Sequence, residues 1–312
     1  MAVKNPSLLE PPARSTFLSG NLYCKDTVGD VIEQTTSLLN LHDIESPRIE
    51  AEILVAEVLK VSKVALYSRL NQPFSKATKS ILEELLQRRL LHEPIAYITG
   101  VREFWSLDFL VNPSVLIPRP ETEILVETGI ELLADGASVC TRIADVATGS
   151  GCVAIALATE FPAAHILATD NSYAAVRVAL ANARRHSVTN QLNFICVDLL
   201  TALSQDKCLF DLIVCNPPYI ENEAINKLAP DIKNWEPQSA LKGGADGLDF
   251  YRILLHQAPK YLRPHGWLAI EIGGDQLSAI RRLEQIPSDI SFTTCRQDYA
   301  KSDRVVVYQK TA

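Results

Sequence analysis

No stretch of this 312-residue chain approaches the roughly 20 uninterrupted apolar residues of a membrane-spanning helix, although 47% of its residues are hydrophobic. With 21% charged residues the composition is that of an ordinary globular protein, and no membrane partner is expected. Closely spaced metal ligands are missing too. The seven cysteines (Cys24, Cys140, Cys152, Cys196, Cys208, Cys215, Cys295) are odd in number and scattered, no CxxC pair occurs, and the six histidines do not cluster. No metal is expected, because zinc sites need neighbouring Cys or His ligands. Scattered thiols in apolar runs fit a reducing, cytoplasmic setting. Basic charge is also short: a net charge of -7 argues against a general nucleic-acid binder, whose affinity comes from Lys and Arg on phosphates, so no direct nucleic-acid partner is expected. The opening "MAVKNPSLLEPPARSTFLSGNLY" has prolines where a signal peptide needs a continuous apolar core. Residues 1–26 are expected to be a flexible tail.

What is present divides by hydrophobic period. The length favours two domains, since single cores rarely grow beyond about 250 residues. From Asp26 to Gly100 the period is helical: Val28, Val31, Ile32, Leu38 and Leu39 share a face, Ser46 before Pro47 predicts an N-cap, and Ser75 predicts a second. A small helical domain over 27–100 is expected. "EFWSLDFLV" and "SVLIP" then read as short extended runs, predicting a β-hairpin linker over 101–118. From Arg142 apolar strands alternate with helices: "RIADVA", "HILATD", "LNFICVD", "FDLIVCN", "WLAIEI" and "RVVVYQ" are separated by helical stretches, "QLSAIRRLEQ" the last of them. That alternation predicts a parallel sheet with helices on both faces, over 119–312.

The ends of these strands carry the chemistry. "DVATGSG" places Asp145 at a strand end and then a turn with Gly149 and Gly151, where open α/β folds bind ligands. The spacing is not GxGxxG and the loop has no P-loop lysine, so neither a dinucleotide nor a triphosphate is favoured. Asp170 ends the next strand, where a carboxylate can accept from both hydroxyls of a ribose. Asp198 follows the third strand on the same edge. "FDLIVCNPPYI" then brings Asn216, Pro217, Pro218 and Tyr219 to the mouth of a buried strand. Each proline fixes its own φ, and Pro218 also restricts Pro217, so this backbone is rigid before any ligand arrives.

With "EPIAYITGVREFWSLDFLVNPSVLIPRPETE", "DVATGSG", "NPPYI", "EPQSALKGGADGLDFYR", "EIGGDQ" and "DYAKSDRVVV", the chain from Thr27 to Val307 resembles the class I S-adenosylmethionine-dependent methyltransferases, specifically the HemK/PrmC family of protein glutamine-N5 methyltransferases. The resemblance implies a Rossmann-like α/β domain with a seven-stranded, mostly parallel sheet. It also implies S-adenosyl-L-methionine as cofactor, S-adenosyl-L-homocysteine as product, and class 1 peptide chain release factors as substrates, methylated on the glutamine of their GGQ motif. By the same resemblance Ala147, Thr148, Gly149, Ser150, Gly151, Asp170, Asp198, Leu199 and Asn216 bind the cofactor. Asn216 (side-chain oxygen) and Pro217 (carbonyl) accept hydrogen bonds from the substrate amide, Pro218 holds Pro217, and Tyr219 offers a flat face for stacking. Two positions depart from the pattern: Ala147 stands where a glycine is usual, and Trp235 where tyrosine is expected. A monomer is expected. "PRPETE" supplies Arg119, Glu121 and Glu123, readable either as a capped helix start or as the cofactor mouth, and Glu271 as a structural acid or a substrate contact. The rival functions are glutamine methylation of a ribosomal protein, adenine-N6 methylation of DNA or RNA by a similar loop, and cofactor binding without catalysis.

Overall fold

The computed structural model describes residues 26–134, 141–204, 209–283 and 286–311. The tail expectation therefore lies outside the described residues except at Asp26, as do Cys24, Cys140 and Cys208. Contacts divide the chain into two compact units, one ending at Ile95 and the other starting at Ala96.

The first unit holds α1 (Val28–Leu41), α2 (Pro47–Leu59), α3 (Lys63–Tyr67) and α4 (Lys76–Leu90). Thr27 and Asp30 close a capping box on α1: the Thr27 hydroxyl accepts from the Asp30 amide at 3.2 Å, and the Asp30 carboxylate accepts from the Thr27 amide at 2.9 Å. Ser75 caps α4, accepting from the Thr78 amide at 3.1 Å. Ser46 does not cap α2. Its φ of 52° is left-handed and its side chain makes no cap bond, whereas a capping side chain needs extended backbone beneath it. Val28, Val31, Ile32 and Leu39 are buried together with Leu54, Val55, Leu66 and Leu82. Two ion pairs reach into this interior: Arg89 forks onto Glu50 at 2.6 and 3.1 Å, and buried Glu52 accepts from Arg48 Nε and the Tyr67 hydroxyl, each at 2.9 Å.

In sequence, α5 (Ile95–Thr99) leads into the second unit, which opens on the hairpin of β1 (Val101–Phe104) and β2 (Leu107–Leu110). Its two-residue turn, Trp105 and Ser106, has φ of 54° and 57°, the geometry that matches strand twist and usually demands Asn-Gly. Carboxylates stabilise it instead: Glu123 accepts from the Trp105 amide at 2.8 Å and Glu103 from the Ser106 amide at 2.7 Å. Phe104 and Phe109 are buried in the core of this unit, edge to face at 6.0 Å. "SVLIP" forms no strand. The Asn112 side chain accepts from the Ser114 amide at 2.9 Å and bends the chain there, while Val115 and Ile117 still pack inward.

The rest is a layered α/β domain: α6 (Glu123–Ala134), β3 (Arg142–Val146), α7 (Cys152–Glu160), β4 (His165–Asp170), α8 (Tyr173–Arg185), β5 (Leu192–Cys196), β6 (Phe210–Cys215), α9 (Pro230–Trp235), α10 (Asp249–Gln257), β7 (Leu262–Glu271), α11 (Leu277–Ile280), β8 (Ile290–Gln297) and β9 (Asp303–Lys310). The strands make one seven-stranded sheet in the order β5-β4-β3-β6-β7-β9-β8, parallel up to β7, with β9 antiparallel to both its neighbours. Alternation along the strands sends Ile143, Leu212, Val214 and Ala269 to one buried face and Ala144, Ile213, Cys215, Leu268 and Ile270 to the other. The expected seven-stranded sheet is therefore present, but two of its parts differ from the strand-by-strand reading. β8 was not marked by the apolar pattern, since as an edge strand it buries little beyond Ile290, and within "QLSAIRRLEQ" only α11 is helical, Glu284 and Gln285 lying outside the described residues.

Asn182 on α8 ties the hairpin to the glycine turn. Wholly buried, it donates from Nδ2 to the Leu110 carbonyl at 3.0 Å and the Ser150 carbonyl at 2.9 Å, and its Oδ1 accepts from the Leu110 amide at 2.7 Å. Asn182→Ala strands three backbone groups and is expected to cost about 3 kcal/mol of stability, measured by urea unfolding. A loss under about 1 kcal/mol would show that these elements do not depend on it.

Candidate active site

Four parallel strands deliver polar residues to one edge of the sheet. β3 gives way to Ala147 to Gly151, β4 ends on Asp170, β5 leads into Asp198 and Leu199, and β6 leads into Asn216. The chain leaves β3 toward β4 on one side and returns as β6 on the other, so a crevice opens at the carboxyl ends of β3 and β6, the switch point of such sheets. The crevice is a cleft of about 910 Å³ counted to its open mouth. Ala147, Thr148, Gly149, Ser150, Asp170, Asp198, Leu199, Asn216 and Pro218 all line it; Gly151, Pro217 and Tyr219 do not.

The turn after β3 is built on two carboxylates. Asp145, buried, accepts from the Thr148 hydroxyl at 2.6 Å and the Ala154 amide at 3.2 Å, which ties the turn to the first turn of α7. Burial pushes its carboxyl up to about 7 against these two hydrogen bonds. Asp170 accepts from the Gly149 amide at 2.9 Å and the Ser172 amide at 2.8 Å, one on each oxygen. Each oxygen keeps a second lone pair for a ligand hydroxyl. Burial raises the Asp170 carboxyl, and those two amides hold it down.

Gly151 lies beneath the cleft: with φ of 82°, a Cβ there would lie 3.0 Å from the Ala179 Cβ. Above Gly149 there is open space, with no atom within 4 Å of a built Cβ, so the cradle has room for a ligand at the one point where it meets Asp170. Ala147 carries a φ of 59°, the left-handed region that costs a non-glycine residue on the order of 1 kcal/mol, which accounts for the usual glycine there.

Asn216 is half-buried, and its Nδ2 donates to the hydroxyl of buried Thr122 at 3.1 Å. The loop that continues from it is clamped from below. Gly243 passes so close that a Cβ would sit 2.7 Å from Tyr219 backbone atoms, and the Gly243 amide donates to the Ile220 carbonyl at 2.8 Å. "KGGADG" is thus packed against the back of "NPPY". Gln276 joins the same point: its Nε2 donates to the Tyr219 carbonyl at 3.0 Å and the Gly247 carbonyl at 3.3 Å, and its Oε1 accepts from the Gly273 amide at 2.9 Å. Burial, with the Glu271 charge adding to it, pushes the Tyr219 phenol up to about 12.

The wall opposite comes from "IPRPETE". Arg119 lines the cleft and pairs with buried Glu236, whose other oxygen accepts from the Ile117 amide at 3.1 Å. Arg119 makes no side-chain cap at the turn it precedes; it anchors this segment to Glu236 instead, while facing the cleft. Trp235 is partly buried and packs against the apolar cluster that includes Tyr97, Val115 and Ile117. Thr122, Asn182, Glu236 and Gln276 are the residues that motif reading passed over. Thr122, Glu236 and Gln276 lie inside "IPRPETE", "EPQSAL" and "EIGGDQ", motifs that gave those residues no role, and Asn182 lies in none of the motifs. Among the described residues no cluster of metal-ligating side chains occurs and no helix is long and apolar enough to cross a membrane. Cys152, Cys196, Cys215 and Cys295 are free thiols.

Comparison with known proteins gives two family matches, residues 30–100 to the PrmC N-terminal domain and residues 122–232 to the methyltransferase small domain. A release factor glutamine methyltransferase of Geobacter sulfurreducens is 38% identical over 90% of this chain and 95% of its own. One of Xylella fastidiosa is 43% identical over 83% of this chain and 92% of its own. Among solved structures, the hMettl16 catalytic domain in complex with MAT2A 3'UTR hairpin 6 shares the fold at a TM-score of 0.52 and 19% identity, over 73% of this chain and 82% of that one.

The two ends of the glycine turn predict opposite outcomes. Gly151→Ala adds both a forbidden φ and an overpacked contact and is expected to lower stability by about 2 kcal/mol. Ala147→Gly removes strain and leaves stability within about 1 kcal/mol of the parent, as thermal melts of both variants read directly.

Proposed function

Since the chain belongs to the release factor glutamine methyltransferase family, we propose that it transfers a methyl group from S-adenosyl-L-methionine to the side-chain nitrogen of the GGQ glutamine of class 1 peptide chain release factors. The observation that carries this reading is the orientation of Asn216: with Nδ2 committed to Thr122, its Oδ1 is the end left to accept from a substrate NH2. The residues around the cleft suit the cofactor, with open space above Gly149 and a carboxylate, Asp170, positioned for ribose hydroxyls. When bound, the cofactor supplies an electrophilic methyl on a sulfonium.

A carboxamide nitrogen is a poor nucleophile because its lone pair is delocalised into the carbonyl. Asn216 Oδ1 and the Pro217 carbonyl, as acceptors on the two N-H bonds, would hold the nitrogen in line with the methyl and favour a more tetrahedral nitrogen. The two prolines keep the second acceptor in place before substrate arrives. Tyr219 would stack on the planar amide. Transfer would leave that nitrogen positively charged and acidic, and its surplus proton would pass to water without a strong general base. Thr148, Ser150 and Leu199 would complete the cofactor cradle, with Gly151 shaping it from beneath and Asp198 beside the adenine. The helical unit, residues 27–100, would grip the release factor beyond its glutamine, with residues 101–118 linking it to the 119–312 methyltransferase domain. The enzyme would work in the cytoplasm as a monomer.

Radiolabelled S-adenosylmethionine offered with release factor, ribosomal proteins, RNA and duplex DNA separately tests the substrate. Label is expected on the release factor glutamine; label in nucleic acid or a ribosomal protein alone overturns the reading. Asn216→Ala is expected to slow transfer by roughly a hundredfold or more, and full activity of that variant on a release factor overturns the assignment.

A further inference from the structure

The carboxamide of Asn216 has two ends of similar shape and opposite hydrogen-bonding sense, and only the oxygen accepts. The Thr122 hydroxyl decides which end meets the cleft, because it accepts from Nδ2 at 3.1 Å. With that lone pair committed, the hydroxyl has one proton of its own to donate, and it needs a buried acceptor. The carboxyl at the end of β7 answers this description. Glu271 is 1% exposed, its Oε2 has no hydrogen-bond partner, and the hydroxyls of Thr122 and Tyr219 are near enough to hold its carboxyl down against burial. A carboxyl oxygen left unpaired at such depth is costly, so it calls for a use.

The geometry points to Glu271 as a positioning residue for methyl transfer: as a carboxylate it accepts a hydrogen bond from the Thr122 hydroxyl, keeps the Thr122 lone pair on Asn216 Nδ2, and so leaves Asn216 Oδ1 facing the substrate amide. This deepens the glutamine-methylating reading and rests on it. Glu271 is not among the residues lining the cleft, and it acts through Thr122. Once protonated it becomes a donor. Thr122 is then free to donate to Asn216, the amide is satisfied in the reversed orientation, and the cleft meets an NH2 group where an acceptor is needed.

The surroundings make that proton easy to move. Burial pushes the Glu271 carboxyl up to about 7; Thr122, the Arg304 charge and Tyr219 hold it down, and Glu121 raises it further. Arg304 is itself engaged, with Asp298 at 2.9 Å and the Ile272 carbonyl at 3.2 Å, so no guanidinium neutralises the carboxylate directly. The Cys215 and Cys152 thiols are raised by burial with a contribution from the Glu271 charge, and they stay neutral beside it. The Tyr251 hydroxyl sits 3.1 Å from the Glu271 carbonyl rather than its carboxyl. The signs for stability and activity are opposed. A carboxyl raised on folding contributes stability below its unfolded value of 4.5, and this is lost as pH rises through about 7. Activity, which needs the carboxylate, rises through the same window.

The test uses the full chain with S-adenosylmethionine and a release factor, following kcat and KM from about pH 5.5 to pH 9. Wild-type kcat is expected to fall nearly tenfold per unit below about 7. Glu271→Gln, close in shape and still able to accept from Thr122, is expected to lose that acidic limb. Glu271→Ala removes the acceptor and is expected to lower kcat at least about tenfold with KM for the cofactor unchanged. Thr122→Val should match it, Thr122→Ser should restore activity, and the double variant Glu271→Ala/Thr122→Val should be no slower than either single one. Thermal melts check folding of each. An acidic limb that persists in Glu271→Gln, or single losses that multiply in the double variant, overturns the inference. If wild-type protein places no methyl on glutamine, the functional reading itself fails; if it does and Glu271→Gln keeps the wild-type pH profile, only the role of Glu271 fails.

Discussion

The hydrogen bond from the Asn216 amide to the Thr122 hydroxyl decides what the cleft can recognise. A carboxamide at a strand end can present either a donor or an acceptor, and the two differ by a half-turn of the side chain. Holding the nitrogen inward leaves the amide oxygen of a rigid, proline-braced loop free to accept, which is what the proposed reading needs for a planar NH2 group. The remaining architecture serves this arrangement: parallel register brings β6 beside β3, the segment 120–122 comes over the strand ends to supply Thr122, and β7 places a carboxyl behind it.

The site is assembled from two kinds of part. The cradle proposed for the cofactor is largely main chain, shaped by the turn after β3 and steadied by Asp145 and Asp170, so side-chain chemistry there is sparse. The acceptor end depends on side chains contributed from far along the chain. That division follows the ligands themselves. A nucleoside-like group is held by shape and ribose hydroxyls, whereas a small amide has little surface and must be oriented by hydrogen bonds.

Much of this was legible from residue order alone. Apolar runs closing on Asp145, Asp170 and Asn216 told both where the strands lie and which edge they share, because a parallel sheet puts every carboxyl end on one side. Long-range partnerships were not legible. Asn182 bonds to Leu110 across 72 positions, Asn216 to Thr122 across 94, and Gln276 to Tyr219 across 57, and nothing in local spacing announces such pairs. Local rules failed where tertiary contacts replace them. Trp105 and Ser106 turn without glycine because Glu123 and Glu103 satisfy their amides, and Ser46 looks like a cap yet folds left-handed. The edge strand β8 pairs with β9 alone and buries little beyond Ile290, so its residues never needed the pattern that marks buried strands.

The side chain of Gln276 joins the ends of three loops, those holding Tyr219, Gly247 and Gly273, within a single hydrogen-bonded knot. Knots of this kind fix length as well as position. One residue added to any of the three loops is felt by the other two, so an insertion after β6, before α10 or after β7 displaces the Tyr219 carbonyl alike.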